Sequence, residues 1–377
     1  MFKKIAIVLG TRPEAIKLLP VYQALRHCFE RVDLISTGQH QMMLQQIFDF
    51  FETQPAVSLD VMQPDQTLGG LTSRLSDKLS VLFHERRYDL VIVQGDTTTA
   101  MVAALMAFYQ RIKVVHVEAG LRTHNKFSPF PEEVNRQIIS RVADYHFAPT
   151  WKAKEVLLEE GLTNVHCVGN TVIDSLMLCL EKIKTEDAAY RQRFEMIGRF
   201  EKLVLITGHR RENFGDGFDQ ICAAIKELAA LYPSFLFYYP VHLNPNVKHK
   251  VHSILSGLSN VFLGQPLPYD ELVYLMSRSF MILTDSGGIQ EEAPSLNVPL
   301  LVMRDTTERP EGIDAGCARL VGTDKFTIVN TFKKLAEDEA VYQSMARAGN
   351  PYGEGKSSSL IASILKKGSP PAKTDDR

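Results

Sequence analysis

The stretch that decides the fold is Phe280-Met281-Ile282-Leu283-Thr284-Asp285-Ser286-Gly287-Gly288-Ile289-Gln290-Glu291-Glu292-Ala293. Its first four residues are apolar and predict a strand, and the small residues after them predict a turn into a helix. Such a helix presents free backbone N–H groups and the positive end of its dipole, which suits a phosphate or diphosphate. Glu292 then lies one helical turn inside, where a carboxylate can reach sugar hydroxyls. A turn that needs glycines only to change direction explains the same residues.

Length and charge limit the classes of protein that this chain can represent. With 377 residues the chain is too long for one ordinary core, so we expect two domains. Lys and Arg total 42 against 44 for Asp and Glu, a net charge of −2, and there is no long basic tract. This balance argues against a nucleic-acid partner. The apolar runs are too short for a signal peptide or a transmembrane helix, so we expect a soluble, cytoplasmic protein with no membrane partner.

The cysteines give no sign of a metal site or a disulfide framework. They are scattered without paired spacing, at Cys28, Cys167, Cys179, Cys222 and Cys317. This pattern favours a reducing compartment, and we interpret the five thiols as core residues.

Short apolar runs alternate with helical stretches along the whole chain. The first series of predicted strands is Ile5–Leu9, Val32–Ile35, Leu90–Val93, Val114–Val117 and Tyr145–Phe147, with helices such as Thr67–Phe83 and Ala100–Gln110 between them. The second is Leu203–Thr207, Phe235–Tyr239, Val261–Leu263, Met281–Leu283, Leu300–Val302 and Leu320–Val321. Apolar strands between helices predict parallel sheets covered on both faces. The fold class is therefore α/β, with two doubly wound Rossmann-like domains and a cleft between them.

This alternation places the boundary between the two domains near residue 169. We place the N-terminal domain at residues 1–168, a hinge near Gly169-Asn170, the second domain at 169–358 and a terminal segment at 359–377. The tail from Lys366 to Arg377 carries almost no apolar residue, and we expect it to be disordered.

Polar clusters follow seven of the predicted strands, at the edge where open parallel sheets bind ligands. They are Gly10-Thr11-Arg12, Thr37-Gly38-Gln39-His40, Gly95-Asp96-Thr97, Glu118-Ala119-Gly120, Thr207-Gly208-His209-Arg210-Arg211, His242 and Asp285-Ser286-Gly287-Gly288. A solvated connection explains any one of them, but not seven on one edge.

The first strand-to-helix connection predicts a capping box between Thr11 and Glu14. It leaves Arg12 and Lys17 as candidate anion contacts, with ordinary solvated cations as the alternative. A dinucleotide-binding strand is followed by Gly-x-Gly-x-x-Gly, and this connection has a single glycine. The hypothesis of a nicotinamide-dependent enzyme therefore loses its main support.

Three carboxylates are candidates for acid and base chemistry. Asp96 and Glu118 end successive strands, and Glu132 follows a proline-rich turn. A helix N-cap is the alternative for Asp96, and a favourable first-turn charge is the alternative for Glu132. His209, Arg210 and Arg309 can bind phosphate oxygens, with surface salt bridges as the alternative.

Several blocks of the chain, in this order, resemble the bacterial non-hydrolysing UDP-N-acetylglucosamine 2-epimerases. The blocks are GTRPEAIK at 10–17, GDTTT at 95–99, HVEAGLR at 116–122, PEE at 131–133, HRREN at 209–213, DSGGIQEE at 285–292 and RDTTERPE at 304–311. The resemblance implies a GT-B fold whose segment 359–377 returns to the first domain, and a homodimer. It also implies interconversion of UDP-GlcNAc and UDP-ManNAc through 2-acetamidoglucal and UDP, without cofactor or metal, for a surface polysaccharide.

The same resemblance implies roles for individual residues. The catalytic set is Asp96, Glu118, Glu132 and His209. The substrate-binding set is Arg12, Lys17, Arg136, Leu272, Ser286, Gly287, Gly288, Glu292 and Arg309. A second UDP-GlcNAc, acting as an allosteric activator, would use Gln39, His40, Arg74, Arg210 and His242. The chain departs from the family at Gln41-Met42, where relatives carry a polar pair, and at Leu272, where they often carry Phe.

Other functions are compatible with the residues alone. They are a hydrolysing epimerase, an epimerase of a related diacetamido sugar, a GT-B glycosyltransferase that uses a UDP-sugar, and a nucleotide-sugar sensor without catalysis.

Overall fold

The computed structural model describes residues 2–39, 41–63, 65–208, 210 and 215–368. Contacts divide the chain into two units, at 175/176 and again at 351/352. The second unit is Leu176–Pro351, and the flanking residues form the first. The boundaries expected from the sequence are 168/169 and 358/359. The difference arises because the chain packs on the first unit at both crossings: Asn170 donates its backbone N–H to Tyr352 O at 2.7 Å.

A parallel sheet forms the centre of the first unit. Within the described residues it has seven strands in the order β3-β2-β1-β4-β5-β6-β7. The strands are β1 (Lys4–Leu9), β2 (Arg31–Ser36), β3 (Val57–Ser58), β4 (Leu90–Gln94), β5 (Lys113–Val117), β6 (Tyr145–Ala148) and β7 (Val165–Cys167). The helices up to the crossing are α1 (Arg12–Arg26), α2 (Gln41–Phe50), α3 (Leu68–Arg86), α4 (Thr98–Tyr109), α5 (Glu132–Val142), α6 (Trp151–Glu159) and α7 (Thr171–Thr185). Chain order reverses between β1 and β4.

The second unit repeats this plan with a six-stranded parallel sheet in the order β10-β9-β8-β11-β12-β13, counted over the described residues. Its strands are β8 (Lys202–Thr207), β9 (Phe235–Pro240), β10 (Val261–Gly264), β11 (Ser279–Thr284), β12 (Leu300–Val302) and β13 (Ala318–Leu320). Its helices are α8 (Asp187–Arg193), α9 (Asp216–Leu231), α10 (Pro245–Leu255), α11 (Tyr269–Arg278), α12 (Gly287–Glu292), α13 (Pro310–Asp314), α14 (Lys325–Glu337) and α15 (Glu339–Ala346). The last helix, α16 (Ser357–Lys367), belongs to the first unit.

Burial explains why the strand sequences are almost continuously apolar. Ile5 to Leu9 are fully buried, because helices cover both faces of the sheet. On one face, Ala6 and Val8 of β1 pack in a cluster with Leu75 and Leu79 of α3.

The two doubly wound parallel sheets confirm the predicted fold class. Two strands were not predicted, β3 and β7, because neither forms an apolar run of ordinary strand length. Strand β13 begins before the predicted Leu320. The expected disordered tail is wrong at its start, since Lys366 and Lys367 form the last turn of α16. Residues 369–377 of that tail lie outside the described part of the chain.

Among the described residues, no helix is long and apolar enough to cross a membrane. The same residues contain no cluster of three or more His, Cys, Asp or Glu side chains that could hold a metal ion.

Candidate active site

Glu14 connects the two loops at which the order of strands in the first sheet reverses. It is buried, and its Oε2 accepts from the backbone N–H groups of Gly10 at 2.9 Å and Thr11 at 2.8 Å. Its Oε1 accepts from Thr97 Oγ1 at 2.7 Å. Burial raises the pKa of Glu14, and these hydrogen bonds oppose that effect. The capping box is confirmed, and it also fixes the loop that carries Asp96.

Glu118 forms a buried ion pair with Lys17 at the end of β5. Lys17 Nζ lies 2.5 Å from Glu118 Oε2, and Gln94 Nε2 donates to the same oxygen at 2.9 Å. Less than a tenth of Lys17 or Glu118 is exposed to solvent. Glu118 has φ +62°, in the left-handed region that residues with a Cβ seldom occupy. The strand-end turn therefore holds this carboxylate in a conformation that an ordinary strand continuation would not give.

Asp96 is held from helix α5 by two neighbouring side chains. Arg136 approaches Asp96 Oδ2 with Nε at 2.8 Å and Nη2 at 2.6 Å. Asn135 Nδ2 donates to the main-chain oxygen of Asp96 at 2.8 Å. The N-cap of α4 is Thr97, whose side chain accepts from Ala100 N, so the N-cap alternative for Asp96 is wrong. Its carboxylate, about a quarter exposed at 26%, is left to interact with Arg136 and solvent.

Glu132 is the first residue of α5, and its neighbour Glu133 is fully buried. The turn before it contains cis peptide bonds at Ser128–Pro129 and Phe130–Pro131. Glu132 is itself half-buried. Helix α5 thus carries Glu132 one turn before the two side chains that contact Asp96.

Two histidines lie side by side on β5 and β6, which pair in register at His116 and His146. His116 is fully buried, and its Nε2 lies 2.8 Å from Gly95 O, the acceptor just before Asp96. Burial lowers the pKa of His116 to about 3 and that of His146 to about 4. Both rings are therefore neutral near neutral pH.

The turn after β11 brings two arginines to the start of α12. Asp285 is fully buried, and its Oδ2 accepts from Arg210 N at 2.8 Å. A Cβ placed on Gly287 would lie 3.6 Å from Arg309 Cζ and 3.8 Å from Arg210 Nη2. Ser286, the N-cap, makes no capping hydrogen bond with its side chain. Two guanidinium groups therefore lie close to the backbone N–H groups at the start of α12.

Arg309 is fixed by acidic neighbours. Its Nε donates to Glu291 Oε1 at 2.8 Å, and its Nη1 donates to Glu308 Oε2 at 3.1 Å. Its backbone N–H donates to Thr307 Oγ1 at 3.1 Å, and Thr307 Oγ1 in turn donates to Gln290 Oε1. These bonds orient the guanidinium towards Gly287.

Glu292 is buried and accepts a hydrogen bond from Tyr269 OH at 2.7 Å. A Cβ on Gly288 would lie 3.8 Å from Glu292 Oε1, which places this carboxylate beside the start of α12. The predicted uracil contact, Leu272, is half-buried on α11, one turn from Tyr269.

The residues predicted for a second ligand are divided between the units. In the first unit, Gln39 Oε1 approaches the position of a Cβ on Gly10, and Arg74 Nε donates to Val61 O at 2.9 Å. In the second unit, Arg210 lies beside Gly287, and the exposed His242 accepts from Asn244 N at 3.1 Å. Arg12 is half-buried at the first position of α1. His40 and His209 lie outside the described residues.

The sequence reasoning missed the residues that hold the predicted ones in place. They are Gln94, His116, Glu133, Asn135, Tyr269 and Glu291. A signal exists for one of them, since Gln94 is a polar residue that ends an otherwise apolar, fully buried strand. Glu133 follows the predicted Glu132, and Glu291 precedes the predicted Glu292. The local sequence does not show which glutamate of each pair makes the supporting contact.

The family model and the curated relatives indicate one family. The family model for UDP-N-acetylglucosamine 2-epimerase matches residues 24–366. A Campylobacter jejuni protein named UDP-N-acetylglucosamine 2-epimerase is 48% identical over 377 residues, covering 98% of each chain. The crystal structure of a UDP-GlcNAc 2-epimerase from Neisseria meningitidis bound to UDP-GlcNAc has a TM-score of 0.91 at 46% identity, covering 97% of this chain and 100% of that one. An S. aureus protein solved with UDP has a TM-score of 0.86 at 39% identity, covering 97% and 96%.

Proposed function

This chain belongs to the UDP-N-acetylglucosamine 2-epimerase family, and on that premise we propose how its residues interconvert UDP-GlcNAc and UDP-ManNAc. The observation that carries the proposal is the pair of carboxylates at adjacent strand ends, each beside its own cation. Glu118 is 2.5 Å from Lys17, and Asp96 is 2.6 Å from Arg136. Strands β4 and β5, which end just before these residues, are hydrogen-bonded neighbours.

The reaction begins with removal of the C2 proton of the sugar. C2 has no carbonyl beside it in the ring, so a carbanion there is not stabilised. The electron pair of the C2–H bond instead forms the C1–C2 double bond, and the electron pair of the C1–O bond departs with UDP. The products of this step are 2-acetamidoglucal and UDP. Addition of UDP to C1, with a proton delivered to the opposite face of C2, gives the epimer.

Asp96, Glu118 and Glu132 act as the acids and bases of these steps. A positioned acid or base contributes on the order of a hundredfold or more in rate. Two bases on opposite faces are needed, because inversion requires the proton to leave from one face and arrive on the other. The cations at Lys17 and Arg136 orient two of the carboxylates, and they are available to the substrate when a carboxylate takes up a proton.

The departing UDP carries the charge that makes elimination possible, so it needs donors already in place. Ser286, Gly287 and Gly288 supply backbone N–H groups, and Arg309 supplies a guanidinium whose position is supported by its bond to Glu291 at 2.8 Å. Glu292 accepts from the ribose hydroxyls, and Leu272 packs on the uracil. Arg12 and His209 would complete the contacts to the diphosphate, and His209 would also move a proton.

The experiment is an NMR time course with UDP-GlcNAc in deuterated water. Formation of UDP-ManNAc with deuterium at C2 is expected, because the base exchanges its proton with solvent. Release of free ManNAc with stoichiometric UDP would instead indicate hydrolysis. An unchanged sugar would overturn the proposal and favour glycosyl transfer or sensing.

The proposal extends to regulation and assembly. A second UDP-GlcNAc would activate the enzyme through Gln39, His40, Arg74, Arg210 and His242, and two copies of the chain would form a homodimer. If UDP-GlcNAc activates the enzyme, conversion of UDP-ManNAc should show a lag that a trace of UDP-GlcNAc abolishes. Light scattering measures the assembly.

The enzyme would act in the cytoplasm and supply a surface polysaccharide. The five free thiols support the cytoplasm, because they fit a reducing compartment.

A further inference from the structure

We propose that Glu133 is a positioning residue that orients Asp96 through Arg136. This inference rests on the proposed function, because it assigns a purpose to a group next to the reacting carboxylates. Glu133 is fully buried and follows Glu132 on α5, but its side chain is used entirely within the protein.

Four donors surround the Glu133 carboxylate. Oε2 accepts from Thr123 N at 2.9 Å and from Arg136 Nη1 at 3.2 Å. Oε1 accepts from His124 N at 3.3 Å and from Gln137 Nε2 at 3.1 Å. Burial acts to raise the pKa of Glu133, but the hydrogen bonds from Thr123 and Gln137 and the charge of Arg136 outweigh it, so the pKa is lowered. The group is therefore a fixed anion attached to both α5 and the loop after β5.

Arg136 lies between two carboxylates, with 6% of its surface exposed. Nη1 is taken by Glu133, and Nε and Nη2 point at Asp96 Oδ2. The guanidinium is planar and its donors have fixed directions, so anchoring one edge determines where the other edge points. Glu133 thereby decides the orientation of Arg136, and Arg136 holds the Asp96 carboxylate.

The main chain of Asp96 is fixed separately. Asn135 binds its carbonyl oxygen at 2.8 Å, so loss of Glu133 need not release the loop itself. The structure thus separates two effects. The loop position depends on Asn135 and Glu14, whereas the direction of the Asp96 side chain depends on Arg136 and Glu133.

The test is Glu133→Gln, which keeps the shape of the side chain and removes its charge. Glu160→Gln is the matched control, because Glu160 also binds an arginine of this unit, Arg122, at 2.8 Å and 3.0 Å, but at the C-terminal end of α6 rather than on α5. For Glu133→Gln we expect kcat to fall about 10- to 100-fold through misplacement of the reacting group. KM and UDP affinity should remain unchanged, since the proposed diphosphate contacts, Arg12 of α1 and the residues around Gly287, lie on other elements than α5.

A further readout separates positioning from loss of folded protein. With UDP-GlcNAc deuterated at C2, the isotope effect on kcat should be larger for Glu133→Gln than for wild type, because only C–H cleavage is slowed. Partial unfolding would lower the number of active sites, counted by UDP titration, and would leave the isotope effect unchanged. That second pattern, or a kcat no lower than in Glu160→Gln, would overturn the proposal.

If Glu133→Gln does not fold, Glu133→Asp takes its place, since it keeps the charge and shortens the reach by one methylene. Reduced kcat at unchanged KM is then expected, and wild-type kcat would contradict the inference. Where both variants fold, Glu133→Asp should recover part of the activity lost in Glu133→Gln. A wild-type chain that does not epimerise UDP-GlcNAc would overturn both this inference and the proposed function, whereas an active wild type with unaffected variants would overturn this inference alone.

Discussion

Individual buried residues of the first unit fall into two electrostatic classes. Glu14 and Glu133 are carboxylates that accept from several donors; these outweigh burial at Glu133, whose pKa is lowered, and oppose it only in part at Glu14, whose pKa is raised. His116 and His146 are histidines that burial keeps neutral. The difference follows from hydrogen bonding, because a charge can be kept inside a protein only where polar groups replace its water. Neutral histidines in a core make stability depend on pH.

His146→Phe should make the first unit less sensitive to acid. The pKa of His146 is lowered from 6.5 to about 4, so below pH 6.5 the unfolded chain binds a proton that the folded chain does not. The stabilisation is therefore complete above pH 6.5 and is lost as pH falls towards 4. Over this window the wild-type free energy of unfolding should fall by about 1.4 kcal/mol per pH unit more than that of the variant. Urea unfolding at several pH values checks this, and parallel pH dependences would contradict it.

At the level of elements, the starts of short helices present the polar groups. The loop after β4 leads into α4, the turn before α5 places Glu132, and the turn after β11 leads into α12. At these three helix starts Asp96, Glu132 and Ser286 are half-buried, so each remains partly accessible. Helix α12 has only 6 residues, so its dipole is weak. Two arginines beside Gly287 add positive charge at the start of this helix.

Gly287→Ala should weaken UDP binding without disturbing the fold. The added Cβ would meet Arg309 and Arg210 at 3.6 Å and 3.8 Å, which is ordinary contact, so the melting temperature should not change. The methyl group would nevertheless occupy the space between the guanidinium groups, where a phosphate needs to approach. Loss of one charge-assisted hydrogen bond predicts about a tenfold or greater fall in affinity, measurable by calorimetry.

Gly69→Ala is the control for that substitution. Gly69 lies in α3, and no atom lies within 4 Å of its Cβ position. Alanine there should stabilise the protein by about 0.5–1 kcal/mol and leave UDP affinity unchanged. Equal affinities for the two alanine variants would show that the Gly287 position does not face the nucleotide.

For the whole molecule, the decisive feature is that the chain leaves the first unit and later returns to it. Helix α16 packs on α1, and its first turn is held by Asp174, a residue of α7. Asp174 Oδ1 accepts from Ser358 N at 2.7 Å, and Oδ2 accepts from Ser357 N at 3.2 Å. One carboxylate thus acts as the N-terminal cap of a helix that lies far along the chain.

Asp174→Ala should loosen α16 selectively. Loss of a cap costs about 1–2 kcal/mol, so amides of 357–367 should exchange with deuterium faster by the corresponding factor. Asp324→Ala is the control, because Asp324 caps α14 in the second unit through Thr327 N at 2.8 Å. That variant should accelerate exchange in α14 only. Unchanged exchange in α16 of Asp174→Ala would mean that packing on α1 alone holds the helix.

Much of the fold could be predicted because its signals are local. Ile5–Leu9 and Met281–Leu283 are apolar because their strands are buried on both faces, so the pattern of the chain reveals them directly. Strands β3 and β7 could not be found in this way. Val57–Ser58 is two residues long, and Val165–His166–Cys167 carries a polar centre, so each becomes a strand only by pairing with a neighbour.

The sequence by itself determined the alternation of elements, the edge at which polar residues gather and the family, since each depends on residues within a few positions of one another. Only the tertiary structure decided which of those residues meet. Lys17 and Glu118 are 101 positions apart, and Asp174 and Ser357 are 183 apart. A hydrogen bond requires its atoms to lie within about 3 Å. That condition is set by how distant segments pack, and no local preference of the chain contains it.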